Sequence, residues 1–321
     1  MSMNDREFLP SQARRPTLKW ALRCVWLAQL AILVWVAQTL HAHGWTWFGA
    51  TLGVVLFWVL LQGSLLAFPY LLKWWLGDWP STIRGSWRQM LRTLGVEAAW
   101  MTRFYLIEHP WRRAPMQLHP GEQRLPLLLV HGFLCNGAVW NPLAADLRAA
   151  GRSFASVSLE PSYREFEQQL RDLDAAVSMW LAATGASRLI LIGHSMGGLL
   201  ARAYADRHPQ RCAGVICVAA PHHGTYLGDW FHGLEGGPPS PRCRWLQAYN
   251  AGSQERIAVP ALNLWSADDS IVLPASSAQL AATPEDALHG HGHMALIAAP
   301  AARARLLRAL GDIEASLEPA P

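Results

Sequence analysis

Two long apolar stretches near the amino terminus constrain the fold of this chain more than any other feature. Residues 24–40 carry no charged side chain, and residues 45–72 form a second uncharged stretch. A helix of about 20 apolar residues is long enough to cross the hydrocarbon core of a bilayer. Only the four residues 41–44 separate the two stretches. The pattern therefore predicts a hairpin of two transmembrane helices, at about 20–40 and 45–72.

A cleaved signal peptide is the alternative for the first stretch. No small-x-small cleavage site follows Leu40, and the second apolar stretch begins almost at once. Of the 17 tryptophans, 12 precede residue 112, and tryptophan is enriched where spanning helices meet the membrane surface. Charged residues make up 16% of the chain, against about 25% in typical soluble domains. These observations favour the hairpin.

Positive charge predicts the orientation of the hairpin. The flanking basic residues are Arg6, Arg14, Arg15, Lys19 and Arg23 before or at the start of the first helix and Lys73, Arg84, Arg88 and Arg92 after the second. The loop 41–44 has no lysine or arginine, so the positive-inside rule puts both termini in the cytoplasm. We expect a cytoplasmic tail (1–19), a multi-pass protein of the bacterial cytoplasmic membrane, and a second half that faces the cytoplasm. The five cysteines lack any C-x-x-C pair and fit free thiols in a reducing compartment.

Residues 76–114 predict an amphipathic and linking segment. Apolar residues recur at helical spacing over 81–109, and Arg84, Arg88 and Arg92 form a basic stripe. Such a helix could lie on anionic lipid, or it could pack on the following domain with its arginines in water. Residues 110–121 contain three prolines and predict a linker.

Strand and helix patterns alternate over the remainder, which we treat as one domain at 115–321. Predicted strands are 125–130, 154–159, 188–192, 214–219 and 260–265, and predicted helices are 138–150, 163–184, 195–207 and 295–310. This alternation indicates an α/β fold, a mostly parallel sheet with helices on both faces. The net charge of +4 suits an anionic membrane surface and is too small to suggest a nucleic-acid partner.

Gly193-His194-Ser195-Met196-Gly197 is the motif with the clearest chemistry. It is a G-x-S-x-G sequence between a predicted strand and a predicted helix, the context of a nucleophile elbow. Ser195 is therefore the candidate nucleophile; the alternative is a surface serine in a glycine-rich turn. The N–H group of Met196 is one candidate donor to an oxyanion. The second is the N–H of Phe133, in His131-Gly132-Phe133 at the end of an earlier strand.

A nucleophilic serine needs a base and an acid that orients the base. Asp268 and Asp269 follow the strand 260–265; we choose Asp269, and Asp268 stays open. His293 is the candidate base because it directly precedes the last helix. His289, His291 and His293 could instead hold a metal, but no carboxylate or cysteine lies at ligand spacing. We therefore expect no metal or organic cofactor.

These residues resemble the α/β-hydrolase superfamily, and within it small bacterial triacylglycerol lipases and esterases. The resemblance covers about 125–310 and is carried by the elbow, by Ala220-Pro221-His222-His223-Gly224-Thr225, by the stretch 265–272 and by Gly292-His293-Met294. It implies a serine ester hydrolase with the triad Ser195, Asp269 and His293, acting through an acyl-enzyme on lipid-like esters.

The chain departs from that pattern in its membrane hairpin and in its short cap at about 225–259. The candidate substrate-binding residues are Trp230 and Trp245 in the cap and His131 beside the oxyanion loop. The alternative for the tryptophans is that they pack the cap onto the core. The hairpin suggests membrane lipids as partners and a lipid or acyl ester as substrate. A thioesterase or acyltransferase with the same triad, and a non-catalytic membrane scaffold, are the alternatives.

Overall fold

The computed structural model describes residues 18–78, 87–161, 164–231, 237–253 and 255–317, and within them a helical hairpin is joined to an α/β domain. The helices are α1 Leu18–Ala42, α2 Trp47–Trp75, α3 Trp87–Arg103, α4 His109–Trp111, α5 Asn141–Ala149, α6 Phe166–Thr184, α7 Met196–Arg207, α8 Arg244–Ser253, α9 Ala295–Ala298 and α10 Pro300–Leu317. The strands are β1 Met116–Gln117, β2 Leu127–Val130, β3 Phe154–Val157, β4 Leu189–His194, β5 Cys212–Val218, β6 Ala261–Trp265 and β7 Glu285–Ala287.

Helices α1 and α2 form the expected hairpin. They have 25 and 29 residues and are long and apolar enough to cross a membrane. They contact each other through polar as well as apolar groups: Trp58 Nε1 donates to Gln29 Oε1 at 2.9 Å, and the rings of Trp26 and Trp58 meet edge to face. Their outward side chains, such as Phe57 and Leu60, are exposed. An apolar surface of this size is typical of a helix pair that lies in lipid.

The hairpin is fastened at the start of α1 and the end of α2, to the joining segment and to the α/β domain. At the start of α1, Arg23 Nε donates to the carbonyl of Pro110 at 2.9 Å, and Trp26 Nε1 donates to the carbonyl of Tyr105 at 3.0 Å, both in the joining segment. At the end of α2, the buried Lys73 ammonium lies 3.0 Å from Asp78 Oδ2, which also accepts from the N–H of Ala275. The turn between the helices therefore lies at the far end of the hairpin from the domain.

The segment between the hairpin and the sheet differs in part from the expectation. Helix α3 continues through a π-helical turn, Phe104–Glu108, into α4, which agrees with the predicted helix 81–109 from residue 87 onward. Residues 81–86, including Arg84, lie outside the described residues. The predicted linker 110–121 is wrong in part, because β1 lies within it and pairs antiparallel with β3. A two-residue edge strand is too short to show an alternating pattern.

Within the described residues the sheet has seven strands in the order β1-β3-β2-β4-β5-β6-β7, and all neighbours except β1 and β3 are parallel. The expected α/β class is therefore confirmed. Leu127 and Leu129 face one buried cluster, and Leu128 and Val130 face the other. Because helices cover both faces, every position of such a strand is buried and its sequence is continuously apolar.

The ends of the domain hold two further differences. The predicted closing helix 295–310 is divided into α9 and α10, because Ala299 is extended before Pro300 and proline disfavours helical backbone in the residue before it. Strand β7 was not predicted; its residues are polar or small and partly exposed. In the cap, α8 and a 3-10 helix, Tyr226–Phe231, are described, whereas residues 232–236 lie outside the described residues.

Glycine at the start of α7 sets how closely that helix approaches β2. A Cβ atom at Gly197 would overlap the main chain of Val130 and His131. Gly95, on the exposed face of α3, would meet nothing within 4 Å among the described residues. We expect Gly197→Ala to lower the free energy of unfolding by about 1–3 kcal/mol or more. Gly95→Ala should raise it by about 0.5–1 kcal/mol, because alanine is the better helix former.

Thermal unfolding of the detergent-solubilised chain, followed by circular dichroism, measures both changes. A Gly197→Ala variant as stable as the parent would contradict the close contact between α7 and β2.

Candidate active site

The pairing of β2 with β4 brings two short motifs together at one edge of the sheet. Val130 pairs in register with Gly193, so the residues that follow each strand leave the sheet side by side. A Cβ atom at Gly132 would lie 2.7 Å from Cβ of Ser195. Glycine at 132 is therefore the residue that lets the oxyanion loop approach the serine.

Ser195 lies in the sharp turn between β4 and α7. Its φ of 55° and ψ of −126° are unfavourable for a residue with a side chain, and its N–H donates to the carbonyl of Val218 at 2.8 Å. A Cβ at Gly193 would overlap the carbonyl of Gly197, so the turn needs glycine there as well. Helix α7 begins at Met196, and the first N–H groups of a helix have no partner within it. The N–H of Met196, at the first position of α7, therefore has no partner within the helix and could donate to a group bound at Ser195.

His293 is held by Asp269. The carboxylate Oδ2 of Asp269 accepts from Nδ1 of His293 at 2.7 Å, and Oδ1 accepts from the N–H groups of Ile271 and Val272 at 2.7 and 3.1 Å. Both side chains are buried. With Nδ1 used as a donor, the other ring nitrogen of His293 is left as the acceptor when the ring is neutral.

The charges in this pair support each other. Burial raises the pKa of Asp269, but the nearby His293 and the three hydrogen bonds outweigh it and lower the pKa below its ordinary value. Burial lowers the pKa of His293, but the Asp269 carboxylate and its hydrogen bond outweigh it and raise the pKa above its ordinary value. The arrangement keeps Asp269 ionised and makes His293 a stronger base than a free imidazole.

Asp268 points elsewhere. Its Oδ2 accepts from the N–H of Gly290 at 2.5 Å, and burial raises the pKa of its carboxyl group. Asp268 therefore fixes the loop before His293 and makes no hydrogen bond to the imidazole among those of the described residues. Of the two aspartates that the sequence left open, the structure brings Asp269 to the histidine.

Ser195 and His293 both line a mostly apolar cavity of about 190 Å³. Phe133, one of the two candidate oxyanion donors, lines it too. Further lining residues are Met101, Tyr105, Leu134, Leu227, Ile271 and Val272. The apolar lining suits an acyl chain.

The three candidate substrate-binding residues, His131, Trp230 and Trp245, are not among the residues that line this cavity. His131 is buried behind the loop, where Nε2 accepts from the N–H of Leu159 at 2.8 Å and burial lowers its pKa to about 4. Trp230 is 62% exposed and contacts Phe68 of α2, with ring centroids 5.0 Å apart. Trp245 stacks on Phe166. The ring contacts of the two cap tryptophans are thus with α2 and with α6.

Side chains from α3 and the π-helical turn were missed as parts of the site. Met101 and Tyr105 belonged to an apolar helical stripe, which predicts packing and not a site. Glu97 on α3 accepts from the N–H of Met294 at 2.7 Å, and nothing in its sequence surroundings distinguishes it from an exposed glutamate. Across the described part of the chain, no group of three or more histidine, cysteine or acidic residues is arranged to hold a metal.

Residues 126–238 match a family described as the alpha/beta hydrolase fold. The chain is 34% identical over 115 residues to a triacylglycerol lipase of Pseudarthrobacter phenanthrenivorans, which is 33% of this chain and 36% of the relative. A triacylglycerol lipase of Burkholderia plantarii is also 34% identical over 115 residues, 33% of this chain and 32% of the relative. The chain therefore spans about a third of the length of these curated relatives.

Among solved structures, the mature lipase BlEst2 of Bacillus licheniformis superimposes with a TM-score of 0.51 at 17% identity. The match covers 62% of this chain and 96% of that lipase. At this identity the likeness is one of fold, and it identifies the α/β domain as having the α/β-hydrolase fold. The hairpin and the segment that joins it to the domain lie outside the matched family region.

The two neighbouring aspartates offer a matched test of the site. We expect Asp269→Asn to slow the reaction of Ser195 with a fluorophosphonate by about 10³- to 10⁴-fold, because the amide no longer holds His293 in its basic tautomer. Asp268→Asn should slow it less than about tenfold, since it affects only the loop at Gly290. Time courses of probe labelling on the purified chain measure both rates. A larger loss in Asp268→Asn than in Asp269→Asn would contradict the assignment.

Proposed function

We propose that this chain, which has the α/β-hydrolase fold, is a membrane-anchored serine ester hydrolase of the lipase and esterase type. One observation carries the proposal: Ser195, in a strained turn before a helix, shares an apolar cavity with a histidine bonded to a buried aspartate. The 34% identity to two triacylglycerol lipases over 115 residues supports it.

In the proposed reaction, Ser195 Oγ attacks the ester carbonyl while His293 takes the serine proton. The tetrahedral oxyanion accepts hydrogen bonds from the N–H groups of Met196 and Phe133. His293 then gives the proton to the departing alcohol, which leaves an acyl group on Ser195. Water, deprotonated by His293, attacks this acyl-enzyme; the acid leaves and the proton returns to Ser195. Asp269 holds and stabilises the imidazolium in both halves. The reaction requires no cofactor.

A lipid-derived ester is the substrate class that the surroundings of the cavity favour. A second, smaller cavity of about 40 Å³ adjoins the first, and the two share Met101 and Ile271 in their walls. The outer wall of the small cavity comes from Leu65, Leu66 and Pro69 of α2. An acyl chain that leaves the bilayer along α2 would therefore meet mainly apolar side chains, with the polar groups of Tyr70, Glu97 and Ser270 in the wall of the small cavity.

The hairpin supports anchoring in the bacterial cytoplasmic membrane, with the α/β domain on the cytoplasmic side. The start of α1 and the end of α2 carry the positive charge and contact the α/β domain, since the N–H of Leu18 donates to Glu160 and Asp78 accepts from the N–H of Ala275. The turn between the helices has no lysine or arginine. A domain on that side meets membrane lipids at its cavity. The membrane bilayer is then both the anchor and the source of substrate.

We expect the membrane fraction to hydrolyse p-nitrophenyl esters and Ser195→Ala to lose this activity by several orders of magnitude. A series from acetate to palmitate should show an optimum at medium or long chains, because the cavity is apolar and continues towards α2. The matched control is Ser178→Ala, an exposed hydroxyl replacement on α6.

Serine-independent hydrolysis would contradict the proposal. Hydrolysis of thioesters in preference to oxygen esters, or acyl products formed on an added alcohol acceptor, would assign the same triad to a thioesterase or an acyltransferase. No Ser195-dependent chemistry on any acyl donor would favour a membrane scaffold.

The orientation has a separate test with cysteine placed at two positions. With Cys24 and Cys243 replaced by serine, we expect His43→Cys in the interhelical turn to react with a membrane-impermeant maleimide added to spheroplasts. Ser187→Cys, exposed on the α/β domain, should react only after the membrane is permeabilised. The reverse pattern would overturn the cytoplasmic placement of the domain.

A further inference from the structure

A glutamate from outside the α/β domain reaches the main chain of the candidate base. Glu97 lies on α3 and is 4% exposed. Its Oε1 accepts from the N–H of Met294 at 2.7 Å, and its Oε2 accepts from the N–H of Ala295 at 2.9 Å. These are the two residues that follow His293. Both carboxylate oxygens thus hold the backbone that carries the imidazole.

The backbone before His293 is confined by the same segment. A Cβ atom at Gly292 would lie 2.5 Å from the hydroxyl of Tyr70 and 2.6 Å from the carboxyl group of Glu97. Tyr70, near the end of α2, is buried. Gly292 therefore permits close contact between the turn at His293 and two side chains of the amino-terminal helices.

Moving a carboxylate from water into the protein interior costs free energy, and hydrogen bonds or nearby charges must offset that cost. Hydrogen bonds from two N–H groups to one carboxylate are charge-assisted and geometrically specific. If Glu97 only filled space between α3 and α9, an apolar side chain would do so without the loss of hydration. Its contacts instead lie on the one turn whose position decides where the imidazole points.

We propose that Glu97 is a positioning residue, which holds the main chain at Met294 and Ala295 so that His293 meets both Asp269 and Ser195. This rests on the proposed function of the triad. Asp269 then fixes the imidazole from its side-chain end, and Glu97 fixes it from its main-chain end. The helical segment that follows the hairpin thereby completes the site of the α/β domain.

The electrostatic surroundings give this role a second consequence. Burial raises the pKa of Glu97 to about 7, against the opposing effect of the two N–H donors. The titratable groups beside His293 are Asp269, Glu97 and His194, whose ring centroid lies 4.6 Å away. Tyr70 lies against Gly292 beside Glu97, and Asp268 bonds to Gly290. Negative charge on Glu97 adds to that of Asp269 in raising the pKa of His293. Loss of that charge lowers the pKa of His293, so its basic form persists to lower pH.

The test compares Glu97→Gln with Glu108→Gln in the full chain. Glu108 is 3% exposed, lies in the π-helical turn after α3, and bonds to Arg103 and Asn141 instead of the triad. We expect Glu97→Gln to lower kcat for a p-nitrophenyl ester by about 10- to 100-fold, and to change KM by less than about threefold. The acid limb of its pH profile should also move to lower pH. Glu108→Gln should leave kcat and the acid limb unchanged.

Equal kcat and equal acid limbs in the two variants would overturn the proposal, because both remove one buried carboxylate. Should Glu97→Gln fail to fold, Glu97→Asp decides. Its shorter side chain keeps the charge but not both N–H contacts, so kcat should fall while the acid limb stays in place; an unchanged kcat would overturn the proposal. Absence of Ser195-dependent hydrolysis in the parent chain is the failure of the proposed function, and it is measured before any Glu97 variant.

Discussion

The pairing of β2 with β4 is the contact on which the site depends. Because Val130 and Gly193 are in register, the loop at Gly132 and the turn at Ser195 leave the sheet next to each other. No side chain fits between them at 132, 193 or 197 without overlap. Because glycine stands at all three positions, the surrounding main chain can pack closely around Ser195. This packing keeps Ser195 in its strained backbone conformation.

Much of this site is predictable because its parts are local in sequence. The elbow at 193–197 and the oxyanion loop at 131–133 each follow a continuous apolar run, and a parallel sheet brings the ends of such runs to one edge. The choice between Asp268 and Asp269 needs the structure, because adjacent residues in a loop point in different directions. Here one turns to Gly290 and the other to His293.

The parts that escaped prediction depend on contacts distant in sequence. Glu97 lies 197 and 198 residues before its two partners, and a single glutamate on an amphipathic helix has no local signature. The two-residue strand β1 exists because β3 offers an edge, not because its own sequence demands a strand. The sequence suggests that Trp230 and Trp245 of the cap bind substrate, but their ring contacts join the cap to α2 and to α6.

The amino-terminal segment is more than a tether on physical grounds. A tether needs only length and a flexible joint, whereas this segment makes specific polar contacts with the domain at Ala275, Met294 and Ala295. Each contact satisfies a main-chain group of the domain, and buried main-chain groups without partners are costly. A domain without α1, α2 and α3 would therefore leave these groups without their partners and would lack Met101, which α3 contributes to the cavity wall. The helices that are long and apolar enough to cross a membrane are thus joined directly to the segment that contacts the candidate site.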